Sequence, residues 1–350
     1  MKRKIPGMAF ILAMAMFTLL AANASAQYKE TDFVSNQPGV APLQDPDLVN
    51  GWGLTRAPAS PFWVSDNVTG KSTLYRGNGT KVPLTVVIPP APGNTTGTPT
   101  GTQFNITVLT ATPGFAVSKG GVTAPALFLF DTLDGTISGW NPGVDPTHAV
   151  IAVDRSGAGA VYTGLAIANT SSGDFLFAAD NGPNSRVDVF DAHFNLVNSF
   201  TDPDINGGFA PYGIENLGGN IWVTFGGNKS ASGFVDEFDT DGNRIKHVAV
   251  NGPLHSPWGL AMAPADFGPF SGALLVANNI PKGRIDAFDP NSGAFLGVLR
   301  DTTGKAIEID QLWAIKFGNA GNNGTPNELF FTAGPNNYGN GLFGKITFGP

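Results

Sequence analysis

Two carboxylate–amide pairs, Asp66-Asn67 and Asp180-Asn181, close the apolar runs Phe62-Trp63-Val64 and Phe175-Leu176-Phe177. Asn228 and Asn278-Asn279 follow Ile221-Trp222-Val223 and Leu274-Leu275-Val276 in the same manner, and Asp131 follows Leu127-Phe128-Leu129. An aromatic residue recurs ahead of a small and an aliphatic one, in Trp52-Gly53-Leu54, Tyr212-Gly213-Ile214, Trp258-Gly259-Leu260 and Trp313-Ala314-Ile315. Asn50, His255 and Asp310 stand just before three of these triplets. Carboxylate and amide oxygens that converge on one point hold a hard cation, Ca²⁺ or another divalent ion, and Asp66 and Asp180 are then the metal ligands. The same groups beside aromatic faces cradle a sugar, another small polar ligand or a protein partner. Asn and Asp also dominate turns, and aromatic residues repeated at one strand position also serve packing, so a purely structural role stands open at each position.

Other chemistries find little support. The chain has no cysteine, which removes disulfides, thiolate nucleophiles and Cys–zinc sites. His148, His193 and His247 fall in outer or connecting positions, no HxH or HExxH spacing exists, and only His255 reaches the candidate rim. No GxSxG or Walker motif is present. Asp202-Pro203-Asp204-Ile205-Asn206-Gly207 begins like a calcium loop, but its twelfth position is Gly213 rather than Glu, which leaves at most a looser cation site.

The elements that must position these residues are strands. With 46 Gly and 27 Pro in 350 residues, and 13% charged residues, the composition excludes coiled coils and helix bundles, and 26 Phe with 6 Trp exclude disorder. An internal repeat organises the chain. The four aromatic-led triplets, with weaker copies at Phe115-Ala116-Val117 and Thr163-Gly164-Leu165, are each followed by an apolar run. A third run follows best in Val187-Asp188-Val189-Phe190-Asp191, Val235-Asp236-Glu237-Phe238-Asp239 and Ile285-Asp286-Ala287-Phe288-Asp289. The spacing of roughly 45 to 55 residues suits four short antiparallel strands per unit. Six copies predict an all-β, six-bladed β-propeller spanning 27–350, with a Pro/Thr/Gly-rich loop at about 89–102. Blade six is short of one strand, and residues 28–35 occupy the sequence position of an outer strand. The N-terminal strand is therefore expected to close the ring on the last blade, which buries both open edges. First-strand starts and second-strand ends then share one rim of the central channel, which places the candidate residues together. Asp191, Asp239 and Asp289 fall at the opposite rim as turn residues.

Residues 1–26 read as a secretory signal: Lys2, Arg3 and Lys4, an apolar run from Met8 to Ala22, and Ala24-Ser25-Ala26 as the cleavage site. The expected mature chain starts at Gln27, is exported to the periplasm or beyond, and has no membrane span. Loss of three cations takes the net charge from −7 to −10. An acidic chain without a basic cluster is a poor partner for nucleic acid.

The segments Asn50-Gly51-Trp52-Gly53-Leu54, Ser256-Pro257-Trp258-Gly259-Leu260 and Leu329-Phe330-Phe331-Thr332-Ala333-Gly334-Pro335 resemble those of a bacterial exported family, some of whose members end in a PEP-CTERM sorting tail. Phe343 to Pro350 departs from that pattern. The resemblance covers the mature chain and implies a propeller-like fold without an assigned activity. The Val-Asp-Val-Phe-Asp strands are more distantly similar to NHL-type and SMP-30-like six-bladed propellers, a group of hydrolases, lyases and binding scaffolds. The expected function is ligand or partner binding through the channel rim. The alternative is a divalent-metal-dependent hydrolase, lactonase or lyase of the SMP-30-like kind.

Overall fold

Tyr28 to Phe348 folds as six antiparallel sheets whose innermost strands stand around one axis. The computed structural model describes residues 27–204, 208–227, 230–249 and 253–349. The expected signal at 1–26, and Asn228 of the candidate rim, lie outside the described residues.

The first blade shows how the sequence builds the unit. Gly51–Thr55, Phe62–Asp66, Lys71–Tyr75 and Lys81–Val87 pair in chain order. The two inner strands are buried along their whole length, and the outer strand alternates towards solvent. The third, fourth and fifth blades repeat this order, starting at Tyr162, Phe209 and Pro257. The last sheet runs Leu312–Phe317, Glu328–Ala333, Leu342–Phe348 and then Tyr28–Ser35, with the N-terminal strand antiparallel to Leu342–Phe348. Closure therefore follows the expected scheme. Leu43–Gln44 adds a short parallel fifth strand beyond it, in register at Val34 with Leu43 and Ser35 with Gln44.

The second blade corrects the sequence reading. Its inner strand is Pro99–Phe104, which begins inside the stretch assigned to a loop at about 89–102, and it pairs with Phe128–Thr132. Phe115-Ala116-Val117 does not start a blade. Ala116–Lys119 and Val122–Pro125 form a separate hairpin. The cause is that Pro99-Thr100-Gly101-Thr102-Gln103-Phe104 keeps only the glycine of the repeat triplet. Its Thr100 hydroxyl lies 2.8 Å from both the Asp131 carboxylate and the Tyr162 carbonyl, so polar contacts replace the missing aromatic. The apolar signature of Phe115 and Val117 seals the flank instead, in one cluster with Leu129 and Leu165.

The repeated small residue marks where the backbones of neighbouring inner strands touch. A Cβ on Gly53 would lie 2.3 Å from the Thr100 carbonyl oxygen, and one on Gly259 2.4 Å from that of Trp313. The channel is pinched shut at this level, leaving about 20 Å³ on the axis between Gly53, Gly101, Leu165, Ile214, Gly259 and Ile315. Any site on the axis must therefore lie at a mouth.

Candidate functional site

The mouth at the starts of the inner strands carries the candidate residues. Asn50, Ser256 and Gln311 each stand two residues before a triplet tryptophan, with φ of 52°, 47° and 52°. This left-handed turn costs a non-glycine residue about 1–2 kcal/mol and swings the following strand into the axis. It also aims each carbonyl at the neighbouring second strand, whose end donates a backbone N–H to it: Asn67 to Asn50, Asn279 to Ser256 and Gly334 to Gln311.

The aromatics assemble as expected. Trp52 and Trp313 stack with ring centroids 3.6 Å apart, while Trp258 meets both edge-on at 6.4 and 5.9 Å. Tyr212 and Tyr338 flank Trp313 at 5.9 and 5.6 Å. The asparagines are also brought together, but their hydrogen bonds face the protein. Asn67, Asn181 and Asn279 donate their side-chain N–H groups to the carbonyls of Pro99, Pro211 and Leu312, each on the first strand of the next blade. Asn50 accepts from the Trp313 indole at 2.8 Å and donates to Asn67, and Asn279 accepts from the Tyr338 hydroxyl at 2.9 Å. Asn278 accepts from the His255 backbone N–H and donates to Asp286, while Asp310 accepts from Asn336 N–H. The amide ring is thus a set of staples between adjacent blades.

Asp66 and Asp180 are not brought together. Asp180 accepts from Val161 N–H and Gly182 N–H on one oxygen and from Asn184 on the other. Asp66 is fully buried near Asp45 and Tyr75, and burial holds its carboxyl well above the usual range. Among the described residues, no group of three or more carboxylate or imidazole ligands contains either of them. The third-strand aspartates Asp188, Asp236 and Asp286, not singled out as site candidates in the sequence, are buried as well. Asp188 accepts from the Tyr162 hydroxyl and Arg186, and Asp286 from Asn278. Asp191, Asp239 and Asp289 do close turns, each accepting two following backbone N–H groups.

What the mouth leaves unmatched is a cavity of about 240 Å³ lined by Trp52, Leu133, Thr163, Asn181, Tyr212 and Ser256, among others. Trp52 is 6% exposed, and its indole N–H is buried without a hydrogen-bond partner. The described lining carries no charged side chain.

No protein-family model matches the sequence. Uncharacterized protein L690 of Acanthamoeba polyphaga mimivirus is 30% identical over 341 residues, covering 92% of this chain and 86% of the viral protein. R648 of the same virus is 30% identical over 341 residues, covering 92% and 81%. The chain belongs to the family of these mimivirus proteins. In solved structures the fold of this L690 family is shared by a streptogramin B lyase, at TM-score 0.53 and 13% identity over 92% of this chain and 97% of the lyase. It is also shared by the soluble aldose sugar dehydrogenase of Escherichia coli, at TM-score 0.55 and 10% identity over 92% and 99%. At such identities the likeness concerns the propeller alone.

A buried carboxyl beside the axis gives the L690-family fold a testable pH response. Burial pushes Asp131 up to about 7, against the opposing hydrogen bond from Thr100. Between its unfolded pKa of about 4 and about 7 the folded protein binds the extra proton, so stability falls as pH rises through that window. Asp131→Asn should be more favourable relative to wild type at pH 8 than at pH 5, by an amount on the order of 3 kcal/mol. Paired thermal melts at the two pH values measure it, and an equal shift at both would show that Asp131 does not carry the effect.

Proposed function

We propose that this protein is an exported propeller that binds a small, uncharged polar ligand in the cavity at the mouth of its axis. The observation that carries this reading is the cavity of about 240 Å³ at the mouth, whose described lining, Trp52, Thr163, Asn181 and Tyr212 among it, is uncharged. The Trp52 indole N–H is buried without a hydrogen-bond partner, and a shift of the ring that opened it to a ligand oxygen would recover the roughly 1–3 kcal/mol that an unmade donor costs. Thr163, Asn181 and Tyr212 add polar groups to the lining, and the Tyr212 ring adds a flat apolar face of the kind on which a sugar ring rests. The volume lies below the ~300–1,000 Å³ of drug-sized sites, which favours a ligand of monosaccharide size. Among the described residues the lining is uncharged, which disfavours phosphorylated or carboxylated ligands. The basic start and apolar run of residues 1–26, and the resemblance to the bacterial exported family, support export.

Neutral monosaccharides titrated against tryptophan fluorescence test the site. One of them should shift the emission, and Trp52→Phe, which keeps the ring and removes the donor, should weaken its binding by about tenfold. Binding that is unchanged in Trp52→Phe, or a silent panel, would remove the support for this reading.

A further inference from the structure

The loop that enters the fourth blade repeats the loop that enters the first, and the two clamps differ in the partners they give their carboxyl groups. In the first blade Asp45 and Asp47 meet Lys81, Asp47 also meets Lys71, and Tyr75 donates to Asp45 at 2.6 Å. Two carboxylates face two ammonium groups, with the buried Asp66 carboxyl beside them. In the fourth blade Asp202 and Asp204 take the places of Asp45 and Asp47, and Arg244 takes that of Lys81, since Arg244 pairs with Phe238 as Lys81 pairs with Tyr75. One register step inward, the Thr73–Thr85 pair of the first blade becomes Asp236–His247. Three carboxyl groups then face one guanidinium and one imidazole.

The unmatched oxygens of the fourth blade are concentrated at one point. Arg244 and Asp204 N–H occupy Asp202 Oδ1. Asp202 Oδ2 and Asp236 Oδ2 are left buried without hydrogen-bond partners, on side chains 1% and 0% exposed. His247 Nδ1 lies 2.6 Å from Asp236 Oδ1 and 3.7 Å from Asp202 Oδ2, and one ligand atom from each of the three residues falls within 4.8 Å of the others. A tetrahedral ion with bonds of ~2.1 Å spaces its ligand atoms about 3.4 Å apart, a value these two separations bracket. The imidazole is 36% exposed, so solvent can reach the remaining coordination positions.

We propose that Asp202, Asp236 and His247 bind one divalent transition-metal ion of the zinc type, at the outer edge of the fourth blade. An imidazole with two carboxylates suits zinc-type ions, whereas Ca²⁺ prefers six to eight oxygen ligands. The ion takes the carboxylate oxygens of Asp202 and Asp236 that the protein leaves without hydrogen-bond partners. It ties the entering loop to the third and fourth strands, and it is separate from the axial cavity.

The test is calorimetric titration of chelator-treated full-chain protein with Zn²⁺, with Co²⁺ absorption as a second readout and Ca²⁺ as a parallel arm. One Zn²⁺ per chain is expected, together with visible Co²⁺ bands and no comparable Ca²⁺ binding. His247→Ala and His247→Gln should each weaken Zn²⁺ binding more than about tenfold and remove the Co²⁺ bands. His193→Ala should leave both unchanged, and melts of the metal-free variants report their folding. Absence of stoichiometric Zn²⁺ binding, equal Ca²⁺ binding, or Zn²⁺ binding that survives in a folded His247 variant would overturn the proposal.

Discussion

A protein that begins at Asn36 should melt roughly 10 °C below one that begins at Gln27, because it lacks the strand that closes the ring. Tyr28–Ser35 pairs along Leu342–Phe348 from Tyr28 opposite Phe348 to Ser35 opposite Leu342. Without it the last blade presents an unpaired edge, the state a closed propeller exists to avoid. The largest local loss is Tyr28, fully buried against Phe267 and Phe270 with its hydroxyl donated to the Phe267 carbonyl at 2.9 Å. Removing a buried ring of this size costs about 3–5 kcal/mol, and the buried Val34 adds about 2 kcal/mol. At about 2 °C per kcal/mol for a long chain, the sum gives the stated shift. Tyr28→Ala alone should account for more than half of it. If the shortened protein melts with the full one in calorimetry, the closing strand does not hold the ring.

The closing strand was legible because a propeller with three strands in its last blade leaves one edge to fill. The first strand of the second blade was not. Pro99–Phe104 presents Thr100 where four of the other blades present an aromatic, and Thr102 where all five present an aliphatic, and its partners lie on the Asp131 strand and at Tyr162. Only Gly101 marks it: a Cβ there would lie 2.4 Å from Leu165 N. The candidate rim divides in the same way. Sequence spacing gathers Asn67, Asn181 and Asn279 correctly at one mouth, but it cannot say whether an amide faces a ligand or the next blade's carbonyl. The structure gives each of them a carbonyl on the following inner strand. Asp236 and His247 escaped notice because their meeting depends on cross-strand register, with a bulge on either side of the pair, rather than on spacing along the chain. The unpartnered Trp52 donor is invisible for a related reason, since a triplet tryptophan reads as packing and the hydrogen bonds of Trp258 and Trp313 show that two of the three are satisfied.

The seam between inner strands sets the second large effect: Gly259→Val should destabilise the protein by 3 kcal/mol or more, at the upper end of what overpacking costs. The position faces the backbone of the sixth blade, with the Trp313 carbonyl oxygen 2.4 Å and Ile315 N 3.0 Å from where a Cβ would stand. A flexible side chain could move aside, but a strand held in its own sheet cannot. The fifth and sixth blades would have to part, and every other seam in the closed ring would have to absorb the change. Gly157→Ala is the matched control, since a Cβ there meets nothing within 4 Å and the backbone is not left-handed. Equal denaturation midpoints for the two variants would mean that the inner strands are not in contact at this level. A large loss for Gly259→Val alone would fix the axis as closed at this seam. Ligands could then reach the interior only from the Trp52 mouth or from the opposite face, and the binding experiment has to be read against that geometry.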